Sequence, residues 1–497
     1  MKTENKKKSL GLLDATFLVA GSMIGSGIFI VSAEMSRELG SSGWLLFTWL
    51  LTGVITLFGA LSYGELAAMY PKAGGQYVYI REAWGKLASF LYGWTAFAVI
   101  QTGVIAAVAV AFGKFLGVFY PVLVEKTLVD LGFAQINGAN LVGVLSILVL
   151  TLINAMGITY GKIVQFFFTS SKLIALGVLI VAGIIVGMKS GYFTENFTNM
   201  WAAERVVSVS NPLVPLTTES LSGFALMIVL STTIINSLFS SDAWNNVTFI
   251  AGDIRNPEKN LPRALFLGTF IVTILYLLAN IAYLGLLPLK GHPVTEFRYT
   301  KEIVTQAGIQ FAGSERVGTS AAYMLFGNVA NYVMAILIMI STFGCNNGII
   351  MAGSRLFYAM SLDGLFFKSA CKINKHGVPI WAILIQSTWA ILLCLSGSFS
   401  VLIKFATFGS MLFYIVTILG LFRLRRTQAT MPRPYKALGY PVIPALYLIF
   451  SVLICVSLAF FTFKDTIGSI VLILLGIPVY FIAFRKDSAI EEELLDN

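Results

Sequence analysis

One kind of segment repeats along this chain and limits what it can become. Apolar runs of about twenty residues recur from end to end, each long enough to cross the hydrocarbon core of a bilayer. About twelve spans are expected, at roughly 12–36, 43–69, 86–116, 139–157, 161–188, 222–251, 262–288, 320–359, 379–397, 401–422, 441–463 and 466–484. Some are longer than the bilayer needs, which predicts tilt, breaks or extension beyond it. Only 12% of the 497 residues are charged and 57% are hydrophobic. A soluble domain carries about 25% charged residues, so a soluble globular reading is set aside.

The net charge of +10 raises nucleic acid as a partner, but its placement argues against one. Lys and Arg sit in short loops between apolar runs, which is a topology signal. Lys2, Lys6, Lys7 and Lys8 begin the series. Alternate loops continue it with Lys72 and Arg81, Lys162, Arg255, Lys259 and Arg263, then Arg355, Lys368, Lys372 and Lys375. Arg423, Arg425, Arg426, Arg433 and Lys436 follow, then Arg485 and Lys486. The intervening loops are sparser. The bias predicts an inner (plasma) membrane protein with both termini in the cytoplasm. The first apolar run is too long for a signal-peptide core and has no small-residue cleavage site, so it counts as a span. The ending "EEELLDN" reads as a solvated tail.

Little suggests catalysis. The four cysteines, Cys345, Cys371, Cys394 and Cys455, have no CxxC spacing. The two histidines, His292 and His376, fall in loops. No cluster suits a catalytic metal, no Walker A sequence is present, and no nucleophile–base pair stands out. The expectation is a non-enzyme with no cofactor and no metal.

Two spans are interrupted in a way that membranes tolerate poorly. "AGSMIGSGIF" sets Gly21, Ser22, Gly25, Ser26 and Gly27, with Ile24 among them, near the middle of the first span. Gly21 and Gly25 form a G-xxx-G pair, which on its own also fits close helix packing. The sixth span, however, carries "NSLFSSDAWNNVTF", where Asn236, Ser240, Ser241, Asp242, Asn245 and Asn246 interrupt an apolar run. An aspartate at a helix centre costs about 2.5–3.5 kcal/mol on insertion scales and marks function by default. In hydrocarbon, freed backbone groups must be buried in protein or line a cavity. There, N–H groups at a half-helix start bind a carboxylate and free carbonyls bind an ammonium. A free amino acid carries both. Spans one and six would open two five-span halves, the second inverted, with the substrate at their interface.

These motifs resemble the amino acid–polyamine–organocation superfamily, and within it the L-type amino acid transporters. "GSMIGSGIF" is similar to its first-helix motif. "FSSDAWN" followed by "GDIRNPEKNLPRAL" is similar to its sixth helix and following loop. Further matches are "YPKAGGQYVYIREAWG", "LLANIAYL" and "STFGCNNGIIMAGSRLFYAMSLDG". The resemblance spans roughly residues 11–436. It implies an all-α integral membrane protein of about twelve transmembrane helices, a LeuT-like 5+5 inverted repeat with helices one and six discontinuous. Residues 11–188 would be the first repeat, 222–422 the second, 441–484 two extra helices and 485–497 a cytoplasmic tail. By the same resemblance, Ser26 and Gly27 would give backbone N–H groups to the substrate carboxylate. Carbonyls of Met23, Phe239 and Asp242 would take the α-ammonium. Phe239 would cap the substrate as an aromatic gate, and Trp244 and Asn245 would shape the pocket. Gly21, Ser22, Ile24, Gly25, Ser240 and Ser241 would form the breaks.

The chain departs from the family pattern in informative places. Asp242 and Ala243 stand where L-type members have two glycines. That carboxylate could meet a substrate amine, favour a cationic side chain, take part in proton coupling, or pair with another protein group. The outer loop near 117–138 has no cysteine. Animal members use one there to bond a heavy chain, so no disulfide-linked partner is expected, and a bacterial relative is implied. The outer segment 289–319 is long, and the sequence leaves it as helix or loop.

Lys172 lies within the fifth span, in "QFFFTSSKLIAL". Burial forces such a lysine to find a partner or lose its proton. In sodium-independent members of the superfamily, a fifth-helix lysine fills the place of sodium. By that likeness Lys172 would contact the first break near Gly21 or Ser22, and hydroxyls of the eighth span such as Ser341. Transport would be sodium-independent exchange or proton-coupled uptake. Glu65 is expected to pair with Arg81, Lys72 or Arg263. The leading expectation is a secondary carrier of L-amino acids working by alternating access, with neutral substrates weakly favoured. A cationic amino acid or polyamine carrier, a channel and a non-transporting amino acid sensor are the competing readings.

Overall fold

A computed structural model describes residues 9–130, 135–208, 216–294, 298–396, 399–461 and 463–483. The N-terminal lysines at 2 and 6–8 and the tail 485–497 lie outside the described residues. The first half holds α1 Leu12–Met23, α2 Val31–Leu39, α3 Ser42–Met69, α4 Gln76–Trp84, α5 Lys86–Thr95, α6 Gln101–Leu116, α7 Pro121–Glu125, α8 Gly138–Ala155, α9 Ile158–Ser190 and α10 Tyr192–Phe197. The second holds α11 Gly223–Ser240, α12 Pro257–Leu286, α13 Lys301–Ala307, α14 Val317–Phe326, α15 Val329–Leu362, α16 Ile380–Leu395, α17 Phe399–Thr427, α18 Val442–Phe461 and α19 Phe463–Ala483. Two antiparallel hairpins are added, β1 Thr127–Asp130 with β2 Gln135–Asn137, and β3 Ala203–Ser208 with β4 Thr217–Leu221.

Among the described residues, ten helical segments are long and apolar enough to cross a membrane. α1, α14 and α16 are shorter apolar helices, of which α1, continued by the more polar α2, and α16 stand at the first and ninth spans read from the sequence. Local chemistry places the ends. The Ser41 hydroxyl caps α3 by accepting from the Trp44 N–H at 3.2 Å. Asn137 and Asn140 cap α8 reciprocally, at 3.0 and 3.2 Å. Pro257 opens α12, where its missing N–H costs nothing. Thr48, Thr52 and Thr56 each return a hydroxyl to the carbonyl four residues earlier, each at 2.8 Å. That settles polar groups that lipid would leave unpaired. Outer faces of α18 and α19 stay apolar and exposed, through residues such as Val452, Leu453, Leu474 and Leu475.

Several sequence expectations need correction. The eighth span is not one helix over 320–359. α14 ends at Gly327, whose φ of +65° suits glycine, and α15 begins at Val329. α5 and α6 join through a π-helical stretch, Ala96–Ile100. The outer segment 289–319 contains the short helix α13 and a 3-10 turn at Gly313–Glu315. Glu65 does not pair with Arg81, Lys72 or Arg263. It accepts from Arg425 at 2.5 and 2.9 Å, from Arg433 at 3.2 Å and from the Ala437 N–H at 2.7 Å. The end of α17 and the segment after it fold over α3, whereas Arg81 on α4 pairs with Asp363 and Glu82.

Ionic contacts tie each end of the bundle. On the face where α1 starts, Ser9 and Leu10 N–H groups donate to the Asp253 carbonyl at 3.1 Å each, and the Arg255 N–H donates to the Leu10 carbonyl at 2.9 Å. Asp14 pairs with Lys162 at 2.8 Å and Asp253 with Arg355 at 2.9 Å. On the opposite face, Arg37 pairs with Glu315 at 2.6 Å, and Lys290 pairs with Glu204 of β3.

Candidate functional site

The first break is short and well defined. α1 ends at Met23, and Ile24 leaves helical geometry with ψ of 93°. A 3-10 turn, Gly27–Phe29, then leads into α2. The second break follows α11 at Ser241. Ala243 takes a left-handed conformation, φ +65°, and a 3-10 helix runs from Trp244 to Asp253. Both interruptions proposed from the sequence are therefore present, and the second resumes as 3-10 rather than α-helix.

The two breaks touch. A Cβ on Gly27 would come within 2.7 Å of the Ser240 Cβ. The buried Tyr276 hydroxyl of α12 lies 3.1 Å from the Met23 carbonyl oxygen and 3.0 Å from that of Ser240. Having one proton, it donates to one of them at a time. Among the described residues, no backbone acceptor meets the N–H of Ser26 or Gly27.

A cavity opens between the breaks. Its wall includes Ser22, Met23, Gly25, Ser26 and Gly27 from the first break, and Phe239, Ser240, Asp242, Ala243, Asn245 and Asn246 from the second. Gln76, Tyr92, Ile100, Gln101, Val104, Ala107, Val108, Phe249, Cys345, Ile349, Ser410 and Tyr414 complete it. Gly21, Ile24, Ser241 and Trp244 are not in that wall. Trp244 lies behind it, edge-on to Tyr63 at 4.8 Å and tilted against Tyr414 at 5.4 Å, and borders a separate small hollow with Ser241. The Met23 carbonyl already accepts the Gly25 N–H at 3.0 Å besides facing Tyr276. Asp242 has a protein partner: its Oδ1 accepts from the Tyr414 hydroxyl at 2.6 Å.

Lys172 lies outside the cavity and braces it from behind. Its side chain is 1% exposed. The Nζ donates to the Gly21 and Ile24 carbonyls at 2.6 Å each, and reaches the Ser341 carbonyl at 3.4 Å. The Ser341 hydroxyl does not meet the lysine; it lies 3.0 Å from both the Ile24 and Gly25 carbonyls. Together the two side chains occupy the Gly21, Ile24 and Gly25 carbonyls, while the Cys345 thiol donates to the Ser22 carbonyl at 3.0 Å. The geometry differs from the expected one in detail, with Ile24 in place of Ser22 and a carbonyl in place of a hydroxyl.

Reading the sequence missed Gln76, Gln101, Asn246, Cys345 and Tyr414 as wall residues. Gln101 had a visible signal, an amide inside the apolar run "FAVIQTGVIAA". Gln76 lay within a quoted motif without being singled out, and Asn246 was read only as an interruption of the sixth span. Tyr414 had none, since tyrosines are common in these helices.

A helical membrane protein with two abutting helix breaks and a mixed polar–apolar cavity between them has the build of a carrier of the LeuT-like type. The chain belongs to the amino acid permease family, whose sequence profile matches residues 10–483. It is similar to the large neutral amino acids transporter small subunit 2 of Mus musculus, 31% identical over 478 residues, covering 96% of this chain and 81% of that protein. It is also similar to the b(0,+)-type amino acid transporter 1 of Mus musculus, 28% identical over 460 residues, 91% of this chain and 83% of that one. The cystine/glutamate transporter of Homo sapiens is 29% identical over 480 residues, 96% and 85% respectively.

Proposed function

We propose that this chain is a secondary amino acid transporter that exchanges L-amino acids across a cell membrane by alternating access. One observation carries the reading: Ser26 and Gly27 present backbone N–H groups without backbone acceptors beside a cavity bounded by the second break. Such donors at the start of a half-helix suit a carboxylate. The carbonyl end of α11, at Phe239, suits the α-ammonium, and the Phe239 ring lies in the wall to cover the substrate. The two inverted five-helix repeats, 11–188 and 222–422, would pivot about this seat. Relatives named for amino acid transport support the same substrate class.

Lys172 stands as a tethered cation on the carbonyls of the first break, so exchange proceeds without sodium. Both termini face the cytoplasm, and the chain works without a disulfide-linked partner. Purified protein in proteoliposomes, loaded with unlabelled L-amino acid, tests this. Labelled uptake should accelerate with internal substrate and be unchanged when sodium is replaced by choline. A strict sodium requirement overturns the role given to Lys172, and uptake without acceleration overturns exchange.

A second reading, a cationic amino acid or polyamine as substrate, has one observation in its favour. Asp242 is the charged side chain in the described cavity wall. Strong competition by putrescine, which lacks a carboxylate, would support it against the Ser26–Gly27 seat.

A further inference from the structure

The cavity holds a feature that recognition of the amino acid backbone does not use. Four carboxamides share its wall: Gln76 at the start of α4, Gln101 at the start of α6, and Asn245 and Asn246 in the 3-10 segment. They are linked in part. Asn245 Nδ2 donates to Gln76 Oε1 at 2.8 Å, and Gln76 Nε2 donates to the Thr417 hydroxyl at 3.1 Å. Gln101 Nε2 reaches both Asn246 Oδ1 and the Ile349 carbonyl, each only at 3.3 Å. Among the described residues, Gln101 bonds only through its Nε2, Asn245 only through its Nδ2 among its amide atoms, and Asn246 only through its Oδ1, which leaves Gln101 Oε1, Asn245 Oδ1 and the Asn246 amide nitrogen without a protein partner. Gln101, Asn245 and Asn246 are 6%, 5% and 3% exposed.

Amides so deeply placed in a membrane protein are costly unless something pairs with them. The open atoms comprise two acceptors and one donor group. An aliphatic side chain matches neither kind. An ammonium side chain offers donors only and leaves the Asn246 N–H groups unmatched. A carboxylate side chain offers acceptors only and would face the Asp242 carboxylate. A carboxamide or a hydroxyl offers a donor and an acceptor together.

We propose that the Gln76–Gln101–Asn245–Asn246 cluster is the side-chain subsite of the cavity and selects L-amino acids with uncharged polar side chains, such as glutamine, asparagine, serine and threonine. This rests on the cavity being an amino acid seat. Selection arises because leucine, once bound, would strand polar groups that the preferred substrate pairs.

The test uses the full chain in proteoliposomes, with labelled L-glutamine and L-leucine measured separately. The wild type should favour glutamine at least about tenfold in the ratio of rate to half-saturation, the size of one well-made hydrogen bond. Gln101→Leu should lower that ratio about tenfold, and Asn246→Ala should lower it without adding bulk. Equal or better handling of leucine by the wild type overturns the proposal, as do variants that keep the ratio. Preference for lysine over glutamine also overturns it and gives side-chain recognition to Asp242. Thermal stabilisation of detergent-purified protein by glutamine against leucine separates the two layers. Glutamine-selective stabilisation without flux keeps the subsite and refutes the carrier, whereas flux of amino acids without glutamine preference does the reverse. Should a variant lose flux for both substrates, its own stabilisation ratio decides.

Discussion

Lys172 shows how one side chain makes a broken helix tolerable. The Gly21 and Ile24 carbonyls lose their helical donors at the break, and the ammonium reaches both. Lys172→Ala leaves buried acceptors without that donor, at about 1–3 kcal/mol for each group stranded. We expect the variant to melt at lower temperature and exchange at least about tenfold more slowly; unchanged counterflow in proteoliposomes contradicts the bracing role. Ala243 makes the opposite point. An alanine at φ +65° carries a penalty of about 1–2 kcal/mol that glycine avoids. Ala243→Gly should therefore raise the melting temperature, measured in detergent, and a fall would show that this conformation is not strained. The lysine was legible in the sequence because a charge within an apolar run demands a reason. Its contacts were legible only roughly, because the identity of the exposed carbonyls depends on where the helix stops.

At the scale of elements, both breaks could be read from Gly, Ser, Asn and Asp interrupting apolar runs. The break at Gly327 was missed, although Gly-Asn stands there, because apolar residues on either side kept the run looking continuous. Glu65 was assigned the wrong partners for a related reason. Its arginines lie 360 and 368 residues away, a distance that no local pattern reports. The contacts that close the face where α1 starts give a direct prediction. Arg355 and Asp253 are 6% and 9% exposed, and removing one partner of such a pair costs about 3–5 kcal/mol. Arg355→Met should lower the melting temperature strongly and increase labelling of a cysteine introduced near Leu10; neither change would mean that the pair does not hold this face shut. On the opposite face, the Lys290 ammonium and the Thr218 hydroxyl hold the Glu204 carboxyl below the usual range. A depressed folded-state value gives stabilisation that is present above the unfolded value and is lost as pH falls through the folded one. The β3–β4 hairpin should thus lose hydrogen-exchange protection on acidification below about pH 4.5, only slightly because the pair is exposed. Protection that is flat with pH would remove Glu204 as an anchor.

For the molecule as a whole, the class of fold was legible because a membrane leaves few choices for an apolar chain of this length. The composition of the cavity was not. Its wall gathers side chains from both breaks and from α4, α5, α6, α15 and α17, and only the assembled bundle brings Gln76, Gln101 and Asn246 to one surface. The central idea is that two interrupted segments offer main-chain donors and acceptors to a zwitterion. Counterflow of one labelled L-amino acid, challenged with its decarboxylated amine and with its deaminated acid, examines that idea at both ends. Neither analogue should compete at concentrations where the parent amino acid abolishes the signal. Competition by the amine as strong as that of the parent would contradict the account, because the Ser26 and Gly27 amides would then have no carboxylate to hold.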